Sequence, residues 1–190
     1  ATGTSLAGTF TTDYLGRTRS AWDMGAYAYT STYHVANTAG DDVDWTTIAQ
    51  VNAATFASGD SVLFNKGDTW NTRLLTTSNV TYSAYGTGNL PIFVGTGLTT
   101  SIISVNADSN VTISNLNLKT NATTYFYGIR IANSDNITID GCEIEDIYQG
   151  VFLDAVTAGG GDIDYVTIQN CSIHDTIAPV GDALSAGIQV

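Results

Sequence analysis

Basic residues are scarce. Lysine and arginine together number 6 against 18 aspartates and glutamates, for a formal net charge of −12 and a pI near 4.1. So acidic a chain repels nucleic acid, and no basic stripe offsets the effect. It equally disfavours acidic polysaccharides unless a divalent cation bridges the like charges. Charged residues of both signs make up only 13%. Thr, Ser, Asn and Gly are abundant instead, as on the exposed β surfaces of proteins outside the cell. No apolar run is long enough to span a membrane. Histidine and cysteine number 2 each, without the spacing of a zinc site, so His34 and His174 read as ordinary surface or loop histidines. Neither a glycine-rich phosphate loop nor a nucleophile elbow is present. The chain opens at Ala1 without methionine or a signal-like stretch, as expected of either a processed secreted product or an excised piece. Its 190 residues and 43% hydrophobic content predict one domain over 33–190 preceded by an arm, 1–32.

What the chain does contain is one phrase in three versions: NVTISNLNL from Asn110, NITIDGCEI from Asn136 and YVTIQNCSI from Tyr165. Within each, apolar and β-branched residues alternate with polar ones, which is the period of a strand buried on one face. The alternation breaks at Asn115, Gly141 and Asn170, residue types that enter the left-handed region at least cost. It then resumes in a second short strand. A third strand follows a variable loop as GIRI (128–131), GVFL (150–153) and GIQV (187–190). Strand, bend, strand, loop, strand, recurring at this period, describes a coil that buries its inner face only by stacking on neighbours. Earlier segments such as SVLFNKGDTW and SIISVNADSN continue the pattern less regularly. The segment 44–56, with Trp45, Ile48, Val51 and Phe56 near helical spacing, predicts a short amphipathic helix over the first coil. The expected fold class is all-β, a parallel β-helix with an N-terminal capping helix and an extended N-terminal arm, and the resemblance given next implies the right-handed form.

The run WTTIAQVNAATFASGDSVLFNKGDTW, the later AYGTG and the VTI coils together resemble the bacterial and phage-associated right-handed parallel β-helix proteins, often called pectate-lyase-like. The resemblance covers about residues 33 to 190. It implies the fold far more narrowly than the function, because the group mixes lyases, hydrolases, tailspikes, adhesins and surface proteins. The segment DYLGRTRSAWDMGAYAY (13–29) resembles the piece that usually closes such a helix at its C-terminal end, here displaced to the front.

Register between the coils lines up candidate sites. Asp140, Glu143, Glu145 and Asp146 crowd one coil; lyases of the resembled group use calcium, so these four are the candidate ligands, against a plain solvated edge in which Lys119 pairs with Glu145. In the third strand Arg130, Phe152 and Gln189 share an outward column. By the same resemblance Arg130 is the candidate base of a lyase, with Asp154 to assist it, and Glu145 is a further catalytic candidate. A glycosidase would instead need a carboxylate pair drawn from Asp140, Glu143 or Asp154. A non-catalytic sugar platform needs only flat aromatic faces beside polar groups, and Tyr125, Tyr127, Arg130, Tyr148 and Phe152 are its candidates. Cys142 and Cys171 fall at one place in successive coils, close enough for a disulfide, with a ladder of buried thiols as the alternative.

At the C-terminal end Ile188 and Val190 are expected to face inward with nothing over them, while Trp22, Met24, Tyr27 and Tyr29 in the arm need burial. The arm of one subunit covering the open coil of the next would build a head-to-tail filament. The expectation is therefore an extracellular or cell- or virion-surface structural protein whose partner is copies of itself. The alternatives are a polysaccharide lyase or hydrolase and a glycan-binding adhesin.

Overall fold

Alternation at Val111-Thr112-Ile113 and its repeats produces strands whose odd positions disappear into the core: Val111, Ile113, Ile137 and Ile139 have no solvent exposure. The computed structural model describes residues 30–120, 126–155, 162–177 and 186–189. Trp22, Met24, Tyr27, Tyr29, Tyr125 and Val190 lie outside the described residues, as does nearly all of the expected arm.

Three parallel sheets form the walls of a solenoid. The first stacks Thr32–Val35, Ser61–Asn65, Thr81–Tyr85, Ser109–Ser114, Asp135–Asp140 and Asp164–Gln169. The second stacks Thr69–Trp70, Ile92–Val94, Asn117–Lys119, Glu143–Glu145 and Ser172–His174. The third stacks Leu74–Leu75, Ser101–Asn106, Tyr127–Ala132, Gln149–Leu153 and Ala186–Gln189. Ile137 stands opposite Val111 on one side and Val166 on the other, so equivalent residues of successive coils are in register. This is the all-β parallel β-helix that the repeats predict.

Asn115, Gly141 and Asn170 take φ of 55°, 62° and 53°, so the bend between the first and second sheets is left-handed in each repeat, as expected. At Gly141 a side chain would also press on the Asn115 amide, since a Cβ there would lie 3.0 Å from Asn115 Oδ1. A second left-handed column opens the first sheet: Asn79, Asn110, Asn136 and Tyr165, at 63°, 57°, 55° and 55°. Three of these are asparagines whose amides form a ladder, Asn110 Nδ2 donating to Asn79 Oδ1 (2.9 Å) and Asn136 Nδ2 to Asn110 Oδ1 (2.6 Å). Tyr165 breaks the ladder and is 83% exposed.

Inside, the early coils are filled by aromatics, with Phe64 edge-on to Phe93 (4.9 Å) and to Trp70 (5.5 Å). Later coils use mainly Ile, Val and Leu, with Phe126 among them. Full burial of each such side chain contributes about 1.5–3 kcal/mol.

The N-terminal helix is shorter than the 44–56 expected: it spans Ile48–Ala53. Backbone pairing claims the preceding residues, because Trp45 N donates to His34 O and Trp45 bridges Val35. Ala54 is already extended. Thr47 and Gln50 close a reciprocal capping box, and Ile48 and Val51 enter the core. Trp45 and Phe56, expected on the helix, instead pack with Tyr33 beside it.

At the last described coil Ile188 continues the inward column of Val151, yet it is 49% exposed where Val151 is 0%. Val166, Ile168 and Ile173 are likewise only partly covered.

Candidate functional site

The third sheet presents Ser104, Arg130, Phe152 and Gln189 as one column across four coils. They face outward because their neighbours Ile103, Ile129, Ile131 and Val151 fill the core. Backbone-to-backbone contact sets the curvature at the edge of this face. A Cβ on Gly150 would lie 2.6 Å from Gly187 O and 2.5 Å from Ile173 Cγ2, and one on Gly128 would lie 2.5 Å from Gly150 O, so only glycine lets the coils close here.

Tyr127 stacks on Phe152 from the adjacent coil, with ring centroids 4.4 Å apart and planes 18° from parallel. Beside them Arg130 Nε donates to Asp154 Oδ2 at 2.9 Å, and its Nη2 contacts the same oxygen. Both side chains are about a quarter exposed or less. Gln149 Nε2 donates to Gln189 Oε1 (2.8 Å), while the Gln149 Oε1 is buried without a partner. Arg130, Tyr127, Phe152 and Asp154 are thus brought together as the sequence suggested. Tyr148 is not part of the face. It is 4% exposed beside Ile147 at 1%, so the corner belongs to the interior and this member of the sugar-platform reading is corrected. The arrangement also bears on catalysis: the ion pair occupies the guanidinium, and a charged guanidinium has no lone pair with which to abstract a proton.

The four candidate calcium carboxylates do not converge. Asp140 lies on the first sheet, accepting from Gln169 Nε2 (3.2 Å) and Asn170 Nδ2 (2.8 Å). Asp146 is exposed, in a left-handed bend. Only Glu143 and Glu145 share a locality on the second sheet, and a calcium ion wants about six to eight oxygens. Among the described residues they group with His174, which stands opposite Glu145 one coil on. Sequence reasoning read His174 as an ordinary surface or loop histidine. The signal was its place in the register beside two glutamates. Lys119 Nζ lies 3.8 Å from Glu145, the inter-coil pair expected. The Asp175 carboxylate, hydrogen-bonded to His174 Nδ1 at 2.8 Å, raises that imidazole above its ordinary value, with Glu143 adding to it.

Cys142 and Cys171 are free thiols. Contact with Cys171 and burial push the Cys142 thiol well up, so it is an inert core residue rather than a nucleophile.

With that geometry in hand, similarity to known proteins bears on the fold. A family model described as the right handed beta helix region matches residues 101–190. No curated protein matches the chain in sequence. Among solved structures, a GH136 lacto-N-biosidase from Eubacterium ramulus superposes with a TM-score of 0.59 at 16% identity, over 74% of this chain and 34% of that one. A rhamnogalacturonan lyase gives 0.53 at 15%, over 74% and 51%. A pectin methylesterase variant in complex with a hexasaccharide gives 0.53 at 16%, over 84% and 60%. The chain therefore spans between about a third and three-fifths of these proteins. At such identities the likeness establishes the right-handed parallel β-helix and nothing finer.

Proposed function

We propose that this right-handed parallel β-helix is an extracellular or surface glycan-binding module, and that the third-sheet face built on Tyr127, Phe152, Arg130 and Asp154 is its sugar-contacting surface. The Tyr127–Phe152 stack carries the reading: two partly exposed aromatic rings from adjacent coils, stacked on each other, stand beside a fixed charged pair and the amide of Gln189. That combination suits a pyranose, whose faces are apolar and whose rim is hydroxylated. The neighbours named above support it as carbohydrate-active proteins of the same fold. The net charge of −12 favours neutral glycans over uronic-acid polymers. Retention without turnover is the expected activity, because Arg130 is engaged by Asp154.

Affinity electrophoresis of the 190-residue chain in gels carrying neutral polysaccharides tests this. At least one should retard the protein, and Phe152→Ala or Tyr127→Ala should weaken retention about tenfold, the scale of one aromatic stack. Retention untouched by both variants would remove the proposed face. Turnover of a polysaccharide that Arg130→Ala abolishes would replace binding with lyase chemistry.

A second reading, self-assembly into a head-to-tail filament, is supported by one observation, the half-exposed Ile188 in the otherwise buried column of Val151. An arm from another copy fits such an edge. Negative-stain microscopy of the whole chain and of a form lacking residues 1–30 decides it: filaments that need the arm support the reading, and arm-independent filaments or dispersed particles throughout end it.

A further inference from the structure

On the second sheet, away from the proposed glycan face, donor groups from three successive coils meet. Asn117, Glu143 and Ser172 stand opposite one another, as do Lys119, Glu145 and His174. One ligand atom each from Glu143, Glu145 and His174 lies within 4.8 Å of the others. A neutral His174 that donates Nδ1–H to Asp175 turns its Nε2 lone pair toward Glu143 Oε1, 3.6 Å away. Two acceptors facing each other need a positive species between them. A proton can fill that place, and so can a metal ion.

Asn117 favours the ion. It is 7% exposed, and its Nδ2 reaches Glu143 Oε2 (2.7 Å) and Glu145 Oε1 (3.2 Å). Its Oδ1 is buried with no hydrogen-bond partner. A buried amide oxygen left without a partner is unfavourable. Turning the amide over gives up both Nδ2 hydrogen bonds and sets the oxygen beside two carboxylates, an exchange that is favourable only around a cation.

We propose that Asn117, Glu143, Glu145 and His174 form a binding site for a divalent first-row transition cation, with zinc as its representative. An imidazole nitrogen among oxygen donors suits this class, whereas calcium takes oxygen alone. Zinc bonds of about 2.0–2.2 Å place tetrahedral donors roughly 3.3 Å apart, so side chains already within 4.8 Å need only a small contraction. Side-chain exposures of 39% for His174, 42% for Glu143 and 23% for Glu145 leave room for it. Asp175 steadies the imidazole from behind, as outer carboxylates do for metal-bound histidines. Lys119 competes for Glu145 and must yield when the ion enters. A bound ion ties three coils together and stabilises the fold by mass action.

The test is calorimetric titration of the full chain with zinc chloride, cobalt chloride and calcium chloride separately, followed by thermal unfolding with and without zinc. Carrying Cys142→Ser and Cys171→Ser removes thiol ligands, and His34→Gln controls for the other histidine. One equivalent of zinc should bind and raise the melting temperature. His174→Gln, Glu143→Gln and Glu145→Gln should each weaken binding at least tenfold with an unchanged circular dichroism spectrum. Lys119→Gln should tighten it several-fold, a gain that no loss of folding can mimic. Cobalt should give visible absorption that His174→Gln removes. The proposal is overturned if zinc and cobalt do not bind at millimolar concentration, if affinity is unchanged in the three variants, or if calcium alone binds there.

Discussion

At the scale of single residues the repeating columns make departures conspicuous. Tyr165 holds φ 55° in a column otherwise made of asparagines, exposed and outside the amide ladder. A left-handed conformation costs an ordinary residue about 1–2 kcal/mol, which asparagine largely avoids. Tyr165→Asn should therefore raise unfolding stability by about 1 kcal/mol in urea, and no gain would mean that the tyrosine makes a compensating contact. Tyr82 is the opposite case, a wholly buried phenol whose pKa burial pushes from 10.0 up to about 12. The folded state thus keeps its proton longer than the unfolded chain does. That contribution is intact below pH 10 and is lost as pH rises from 10 to 12, by up to about 1.4 kcal/mol per unit. Denaturation curves across that window should fall less steeply in Tyr82→Phe than in the wild type. The left-handed bends at Asn115, Gly141 and Asn170 were legible because residue type alone signals them. Tyr165 was not, because only its position in the column gives it away.

At the scale of elements, the strands were legible wherever alternation was clean and the coils in register, and the candidate columns on the second and third sheets followed from that register. Length was harder. The helix shrank to Ile48–Ala53 because Asp44 and Trp45 both give their amides to His34 O, a contact made ten residues away in sequence and invisible to helical spacing. Tyr148 looked like a loop aromatic, yet lies buried where the chain turns the corner. So short a helix depends on its cap. Thr47 Oγ1 accepts from Gln50 N at 3.3 Å, and Gln50 Oε1 accepts from Thr47 N at 3.0 Å. Thr47→Ala should cost about 1 kcal/mol by chemical denaturation, and Thr47→Ser should restore most of it. Equal losses in both would assign the effect to packing rather than to the hydroxyl.

For the molecule as a whole, a net charge of −12 means that compaction works against self-repulsion. Raising sodium chloride from about 0.01 to 0.15 M shortens the screening length from roughly 30 to 8 Å, so the melting temperature should rise with salt. A flat response would show that opposite charges are already well paired locally. The same solenoid has a directional consequence for how it bears load. Strands bond only to their equivalents one coil away, so the backbone hydrogen bonds run along the solenoid axis. Tension along that axis strains the coil interfaces in series, and the weakest yields first. Coils of 26 residues from Val111 to Ile137 and 29 from Ile137 to Val166 would then pay out one after another, each lengthening the tether by roughly 90–100 Å. Under a single-molecule pull such a solenoid comes apart coil by coil, while the coils not yet reached keep their shape.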